Sequence, residues 1–376
     1  MLKCLSAIVA TLAMLPSAAA GLTDLHIEWG RPVNLGRGGY ARVHRLQDGR
    51  YMAAYELGGD MMARFSPPGN IDEWTRAHVV ARHFTMTNGA EAVRVNLSNA
   101  EFAQLPTGRI IYATNLRPRG TKTIPYAIGI TTSDDLGETW SPLKIVYSAE
   151  VAGFADAPSH GCGCWEPFVL PLGGNKARIF FANEAPRYRP GKCDSQEISC
   201  IETSDGGETW SKPRTVCYTP DCRDGMPVAL SEGTRTYLAI EANPPKTRLH
   251  PQIAVLPQGN RFEPLANPPD WSCTYGGAPY IASTQNFLVL SWQESPPAEG
   301  NHLDTAIARV AVVPKKEIAP DGTFSTMRGV STPPGFVYGE GCMLWNSLCP
   351  IGGDAFLLVS QIKGSIEMFP GRIKGK

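Results

Sequence analysis

The sequence has no excess of either charge, since Lys and Arg together number 35 and Asp and Glu also number 35. Such a chain does not concentrate phosphate polymers or anionic lipid at its surface, so we expect no nucleic-acid or membrane partner. After its first residues it has no uncharged apolar run of the ~20 residues that a transmembrane helix needs. Long stretches of apolar residues at the 3.6-residue period of a helix are also missing. These absences favour a soluble, all-β protein.

The N-terminus has the pattern of a secretory signal peptide. Lys3 precedes an apolar run from Cys4 to Leu15, which Pro16 and small residues at 17–20 follow. This arrangement predicts cleavage after Ala20 and a secreted protein. We expect residues 21–376 to form a single domain.

Of the 10 cysteines, Cys4 lies in the leader, and an exported chain should oxidise most of the others. Their spacings suggest three pairs, with connectivity left open: Cys193–Cys200, Cys217–Cys222 and Cys342–Cys349. Cys162, Cys164 and Cys273 would then supply one more bridge and one free thiol. The segment from His160 to Cys164 contains zinc-ligand residue types, but no second ligand pair accompanies it. We therefore expect no metal and no cofactor.

A unit made of an apolar strand, a tight turn and a second apolar strand recurs along the chain. Its turns lie near Gly49, Gly108, Gly173, Gly233, Asn286 and Gly353. Intervals of about 50 to 70 residues fit one four-stranded blade each. The sequence thus predicts an all-β fold, a six-bladed β-propeller. We expect the segment around Ile27 to Val33 to join strands near Ile366 to Ile373 and close the ring.

Two segments, Ser133 to Trp140 and Thr203 to Trp210, share the pattern Ser/Thr-x-Asp-x-Gly-x-Thr-Trp. The Asp and Ser/Thr side chains can bond turn amides, Gly can take a positive φ, and Trp can fill the gap beneath the hairpin. Both segments resemble the Asp-boxes of sialidase-like propellers. We interpret them as structural.

A polar residue ends the second strand of every unit. These residues are Glu56, Asn115, Asn183, Glu241, Gln293 and Gln361. Because the two ends of a hairpin opposite its turn lie together, they should ring one face of the propeller. Amides and carboxylates are the partners that sugar hydroxyls need, which favours a carbohydrate-binding funnel. The alternative is that polar residues simply follow strands.

The starts of the first strands bring further polar residues to this face. They are Tyr40, Arg42, Glu101, Glu166, Asp224 and Glu340. Glu166 and Glu241 come from neighbouring units, and each follows an apolar or aromatic residue that can desolvate its carboxylate. Glycoside hydrolysis needs two carboxyl groups, one as proton donor and one as nucleophile or base. The pair predicts a catalytic centre, unless each carboxylate only bonds a neighbouring amide.

Other residues remain open as alternatives. Glu56 and Glu294 occupy comparable positions to the predicted catalytic pair. Trp165, Trp292 and Trp345 lie near the same face, where they could stack on sugar rings or pack between blades.

With the Asp-boxes, the segments Tyr40-Ala41-Arg42, Trp165-Glu166-Pro167 and Ile240-Glu241-Ala242-Asn243 make the chain resemble glycoside hydrolase family 93. The resemblance implies a secreted, retaining exo-α-1,5-L-arabinanase that releases arabinobiose from linear arabinan. It implies that Glu166 and Glu241 are the catalytic glutamates, which we assign as nucleophile and acid/base in that order. The expected partner is an oligo- or polysaccharide, bound by a monomer. The candidate substrate-binding residues are Tyr40, Arg42, Glu56, Asn115, Trp165, Asn183, Gln293 and Tyr338.

Two other functions stay open. A sialidase of the same superfamily would need three arginines around the substrate carboxylate and a tyrosine nucleophile, whereas only Arg42 lies at a matching strand start. A non-catalytic propeller lectin would need a similar sugar-binding unit in every blade.

Overall fold

The computed structural model describes residues 25–89, 91–120, 124–149, 163–185, 196–243, 249–256, 263–264, 276–295, 305–324, 327–337 and 342–375. These residues are nearly all in strands and turns, with a short 3-10 turn at Lys315–Glu317. None of the helical segments in these ranges has the length and hydropathy needed to span a bilayer.

The described strands form six antiparallel sheets, which are the six blades of a propeller. Two strands come first in the chain: β1 (His26–Trp29) and β2 (Val33–Arg37). Blade 1 contains β3 (Gly39–Arg45), β4 (Tyr51–Leu57), β5 (Asp60–Phe65) and β6 (His78–Ala81). Blade 2 contains β7 (Phe84–Asn88), β8 (Glu91–Gln104), β9 (Ile110–Pro118), β10 (Ala127–Ser133) and β11 (Lys144–Ser148). Blade 3 contains β12 (Cys164–Gly173), β13 (Lys176–Asn183), β14 (Glu197–Thr203) and β15 (Arg214–Cys217).

The second half of the chain repeats this arrangement. Blade 4 contains β16 (Gly225–Glu232), β17 (Arg235–Ala242), β18 (His250–Leu256) and β19 (Glu263–Pro264). Blade 5 contains β20 (Gly276–Ser283), β21 (Phe287–Glu294), β22 (Ile307–Pro314) and β23 (Arg328–Ser331). Blade 6 contains β24 (Leu344–Gly352), β25 (Ala355–Ile362) and β26 (Ser365–Lys374), and β1 and β2 both pair with β26.

The predicted six-bladed propeller is confirmed. Each of the six predicted turns joins the innermost strand of a blade to the strand that follows it in the chain. The innermost strands β3, β8, β12, β16, β20 and β24 contact one another around the axis. Ring closure is confirmed as well, because Ile27 pairs with Ile373 and Val33 with Met368. We call the face with the predicted turns the turn face, and the opposite face the rim face.

Each innermost strand carries a β-bulge near the rim face. In blade 1, for example, Gly39 pairs with Glu56 but Arg42 pairs with Ala54, so the inner strand has one extra residue. The bulge residues have left-handed backbone conformations: Tyr40 (φ 50°), Asn99 (53°), Glu166 (52°), Met226 (47°), Ala278 (46°) and Trp345 (54°). A left-handed non-glycine residue costs roughly 1–2 kcal/mol, and such strain is typical of functional positions.

Proline follows the bulge residue in three successive blades, at Pro167, Pro227 and Pro279. Proline has no N–H and is normally excluded from a central strand, but a bulge leaves one residue outside the hydrogen-bonded ladder. These three innermost strands are also edge strands of their sheets, so their position and the bulge both make proline compatible there.

The two Asp-box segments connect β10 to β11 in blade 2 and β14 to β15 in blade 3, at the outside of the ring. In the first, Ser133 Oγ lies 2.7 Å from Asp135 Oδ1 and accepts the Gly137 N–H at 2.8 Å. The Thr139 hydroxyl donates to Asp135 Oδ2, and the Thr139 N–H donates to Oδ1 at 2.9 Å. These two bonds, with the contact from Ser133, lower the pKa of Asp135 to about 2. The second segment repeats the same bonds, so the described geometry of both is that of a turn.

The cysteine pairs expected from spacing are wrong where the structure describes both partners. Cys342 precedes β24 and Cys349 lies within it. Seven extended residues span roughly 23 Å, whereas a disulfide needs Cα atoms about 4.4–6.8 Å apart. Cys217 and Cys222 are also thiols, and their Sγ atoms lie 3.7 and 3.2 Å from the carboxylate oxygens of Asp224. Cys200 is a buried thiol. Cys162, Cys193 and Cys273 lie outside the described residues.

Because the bulge residues are strained, replacing one of them by glycine should cost less stability than such a replacement usually does. Ala278→Gly removes the strain of a left-handed residue, and this gain offsets the usual cost of glycine, about 0.5–1 kcal/mol. Ala282→Gly, on the same strand at ordinary φ and equally buried, keeps the whole cost. We expect urea unfolding to show Ala282→Gly less stable than Ala278→Gly by about 1 kcal/mol or more. Equal losses would contradict the assigned backbone conformation.

Candidate active site

The six bulge residues meet around the axis at the rim face. Tyr40, Met226, Ala278 and Trp345, which come from four different blades, pack together in one apolar cluster. Asn99 and Glu166 occupy the same bulge position in the two remaining blades. Four of the six bulge residues thus form an apolar floor, and Glu166 is the one bulge residue that has a carboxylate.

Glu166 is 9% exposed, and its Oε2 accepts the N–H of Met226 at 3.1 Å. Burial raises the pKa of Glu166 above its usual 4.5, and the negative charge of Glu241 adds to this. The nearby guanidinium groups of Arg223 and Arg117 oppose the rise. A carboxyl group with a raised pKa in an apolar setting can hold a proton and deliver it.

Glu241 has a different environment. It is 6% exposed, and its Oε1 forms an ion pair with Arg223 Nη1 at 2.6 Å. Its Oε2 accepts the N–H of Ala278 at 3.0 Å. A guanidinium partner and a backbone donor both stabilise the ionised carboxylate. Glu241 and Glu166 thus come from neighbouring blades, interact electrostatically and differ in their surroundings.

Sequence analysis missed Arg223, which lies just before β16 and outside the repeat unit. Three polar atoms crowd the backbone beside it, because a Cβ on Gly225 would lie 3.1 Å from both Gln196 Nε2 and Glu241 Oε1, and 3.3 Å from Arg223 Nη1. Glycine at 225 is therefore what allows this close arrangement. The charged dipeptide Arg223-Asp224 just before a predicted inner strand was the sequence signal that could have identified Arg223.

Residues at the end of the second strand hold the bulge of the next blade. Glu56 Oε2 accepts the N–H of Asn99 at 2.8 Å, and Gln293 Oε1 accepts that of Trp345 at 3.2 Å. Glu241 binds Ala278 in the same way. We call these contacts inter-blade hydrogen bonds. The alternative that rim carboxylates bond neighbouring amides is thus realised for Glu166 and Glu241, alongside their electrostatic coupling.

Blade 3 departs from this rule, and the placement of Asn183 needs correction. Ala182, rather than Asn183, pairs with Trp165 at the position that Glu56 has in blade 1. Asn183 instead bonds the Tyr147 hydroxyl and Ser199 Oγ, each at 3.0 Å, away from the funnel. Because Ala182 has no acceptor, the carboxylate of Glu166 takes the N–H of blade 4.

A second guanidinium, also missed from the sequence, lies on the other side of Glu166. Arg117 Nε donates to Asn115 Oδ1 at 2.6 Å, and its Nη2 donates to Asn99 Oδ1. The guanidinium carbon lies 5.1 Å from the centre of the Trp165 ring. Asn115 itself donates to the Cys164 carbonyl, so it positions Arg117 and joins blades 2 and 3. Trp165 is half-buried beside Glu166.

Arg42 does not reach the funnel as predicted. It is 2% exposed, and its guanidinium lies 3.9 Å from the Tyr40 ring centre and 3.6 Å from Glu101 Oε2. It also donates to the Trp345 carbonyl. The Tyr40 ring covers the Arg42 guanidinium. Because of the bulge, Tyr40, two positions before Arg42 in the chain, is the residue that faces the candidate site.

The remaining candidates have other locations. Glu294 pairs with Arg309 at 2.7 Å, and Trp292 is 4% exposed in the core between blades. Asp224 is fully buried against the two thiols. Tyr338 and Glu340 lie outside the described residues. Within the described ranges, no three His, Cys, Asp or Glu side chains come together in a way that could hold a metal ion.

The raised pKa of Glu166 predicts a pH-dependent stability. A carboxyl whose pKa is higher in the folded protein contributes stability that is complete below its unfolded pKa and is lost as pH rises through the folded pKa. The contribution of Glu166 to the unfolding free energy should therefore fall as pH rises above about 4.5, and Glu166→Gln should remove this part of the pH dependence. Denaturant unfolding at several pH values measures both, with the exposed Glu28→Gln as charge-matched control. An unchanged slope in Glu166→Gln would contradict the assignment.

No protein-family model matches the sequence, and no curated protein matches it either. Several solved structures, however, are similar to this chain. The GH93 α-L-arabinofuranosidase of Fusarium graminearum, solved with arabinobiose, is 16% identical with a TM-score of 0.62, over 92% of this chain and 98% of the other. An α-L-arabinanase of Penicillium chrysogenum, also with arabinobiose, is 14% identical with a TM-score of 0.61, over 91% and 98%.

The sialidase of Trypanosoma rangeli is 11% identical with a TM-score of 0.56, over 90% of this chain and 54% of the other. At such identities a structural likeness shows the fold, not the activity. The chain is a six-bladed β-propeller whose fold is similar to those of these three proteins.

Proposed function

We propose that this protein is a glycoside hydrolase whose catalytic residues are Glu166 and Glu241. The observation that carries the proposal is a coupled pair of buried carboxylates on neighbouring blades, one facing an apolar floor and the other bound to Arg223. Glycoside hydrolysis needs two carboxyl groups of this kind, held in different protonation states.

The surroundings of the two carboxylates favour the opposite roles from those first assigned. Glu166, with its raised pKa and a neutral N–H partner, is suited to protonate the glycosidic oxygen. Glu241, paired with Arg223, is suited to attack the anomeric carbon and form the glycosyl-enzyme. Glu166 then takes a proton from water, which attacks the anomeric carbon and releases Glu241. This double displacement retains the configuration.

The proposed substrate is linear arabinan, cleaved from its non-reducing end to arabinobiose. Two structural neighbours are arabinan-type hydrolases solved with arabinobiose, which supports a neutral pentose substrate. The predicted leader suits this substrate, since polysaccharides lie outside the cell. We include secretion in the proposal.

The two alternatives have less support. In a sialidase the clamp on the substrate carboxylate needs unengaged arginines, whereas Arg42 is buried on Glu101 and Arg223 is bound to Glu241. A lectin built from repeated sites would need similar residues in every blade. Here the six bulge positions hold six different residue types.

Replacing each glutamate by glutamine tests the pair and its roles. Both variants should lose roughly 10²–10⁴-fold in kcat on arabinan, since the shape stays while the ionisable group is lost. On an aryl arabinofuranoside with a good leaving group, added azide should restore turnover to Glu166→Gln but not to Glu241→Gln. Glu294→Gln, which changes a carboxylate outside the funnel, should stay within about twofold of wild type. Rescue of Glu241→Gln would reverse the roles, and two active variants would reject the pair.

Product analysis tests the substrate. The wild-type protein, incubated separately with linear arabinan, sialyl-lactose and a panel of neutral glycans, should release arabinobiose from arabinan. It should release no sialic acid, because the described funnel offers no unengaged three-arginine clamp. Enzymatic release of sialic acid, with arabinan untouched, would replace this proposal by the sialidase.

A further inference from the structure

A cleft of about 310 Å³ leads away from the funnel on the rim face, between blades 6, 1 and 2. Its polar and apolar lining includes Arg37, Glu56, Leu57, Asn96 and Gln361. The cleft begins at the funnel itself, because Gly39 and Ser98 line it and directly precede the bulge residues Tyr40 and Asn99. Its volume lies at the lower end of the range for ligand sites, roughly 300–1,000 Å³.

Glycines keep the cleft open and hold its walls in place. Gly38, Gly39, Gly58, Gly59 and Gly364 line it. A Cβ on Gly39 would lie 2.3 Å from Gln361 Oε1, and one on Gly59 would lie 2.8 Å from Asn96 Oδ1. Any side chain at these two glycines would push the carboxamides out of position. The walls are thus fixed by close packing before any ligand arrives.

Gln361 ends the second strand of blade 6, and its side chain makes no inter-blade hydrogen bond among the described residues. It pairs with Leu344 at the position that Glu56, Glu241 and Gln293 have in their blades. Those three side chains accept an inter-blade hydrogen bond, whereas no hydrogen bond to the Gln361 side chain exists among the described residues. Its carboxamide therefore has an unused donor and an unused acceptor at the cleft.

The other wall groups have the same character. Glu56 binds Asn99 through Oε2, which leaves Oε1 for another donor. Arg37 is exposed, and Leu57 is 38% exposed and offers an apolar surface. A carboxamide, a carboxylate oxygen and a guanidinium around a small apolar patch suit a neutral sugar, whose hydroxyls donate and accept while its C–H face packs on carbon.

We infer that this cleft is a second sugar-binding site, which holds the part of a neutral oligosaccharide that extends beyond the funnel, with Gln361 as a hydroxyl partner. The inference rests on the proposed function, since one sugar chain would occupy both funnel and cleft. Binding in the cleft makes the protein prefer longer sugar chains, whereas the glycosidic bond is cleaved in the funnel.

Gln361→Leu is the decisive variant, because leucine fills similar space beside Gly39 but can form no hydrogen bond. On arabinohexaose its kcat/KM should fall about tenfold, the loss of roughly 1.4 kcal/mol that one hydrogen bond to a neutral group accounts for at most. On an aryl arabinofuranoside, which is too short to leave the funnel, kcat/KM should stay within about twofold. Gln285→Leu, on the turn side of blade 5, is the matched control and should change neither value. Equal losses on both substrates, or none on either, would overturn the cleft.

A binding measurement separates this inference from the proposed hydrolysis. Calorimetric titration of Glu166→Gln, with and without Gln361→Leu, should use disaccharides and hexasaccharides of arabinose, xylose and galactose. Tighter binding of a hexasaccharide than of its disaccharide, abolished by Gln361→Leu, supports the cleft even if wild type does not cleave arabinan. No length dependence with any sugar, or a length dependence that Gln361→Leu leaves intact, overturns it.

Discussion

In each blade the backbone N–H of the bulge residue needs a hydrogen-bond acceptor. This requirement governs the centre of the propeller. At each bulge a left-handed residue turns its N–H out of its own sheet, and a buried donor without an acceptor is costly. In four blades a side chain of the preceding blade is the acceptor, as Glu56 is for Asn99 and Glu166 for Met226. The same requirement that joins the blades therefore places carboxylates and carboxamides around the funnel. Glu166 and Glu241 combine this structural bond with an electrostatic interaction between their carboxylates.

Much of the fold was predictable because turns and strand patterns are local. Glycine and asparagine marked all six hairpins, and apolar strands at both ends of the chain indicated the closure. Counting from the turns failed in blade 3, where Asn183 was placed at the position that Ala182 holds opposite Trp165. The pairing of Cys342 with Cys349 failed because residues a few positions apart are far from each other along an extended strand.

The site was only partly predictable. Strand ends identified Glu166, Glu241 and Tyr40, but not the arginines that differentiate the two carboxylates. Arg223 precedes its strand, and Arg117 lies beyond the position where the repeat unit ends, so no periodic pattern contains either. Conversely, Arg42 fitted the pattern and is buried, because bulges shift which residue faces the axis. Side-chain partners across blades depend on tertiary contacts that one strand cannot reveal.

The closing strand of blade 6 affects how such a chain can be made. Val33 pairs with Met368, so the earliest strands to leave a ribosome find their partner only among the last. Until these strands pair, blade 6 has an unpaired edge, and the position of the innermost strand β24 relative to β3 is not fixed. The funnel floor draws on both of these strands, through Trp345 and Tyr40. A chain that lacked β26 would thus leave the ring open at blade 6, and the candidate site would lack its closed floor.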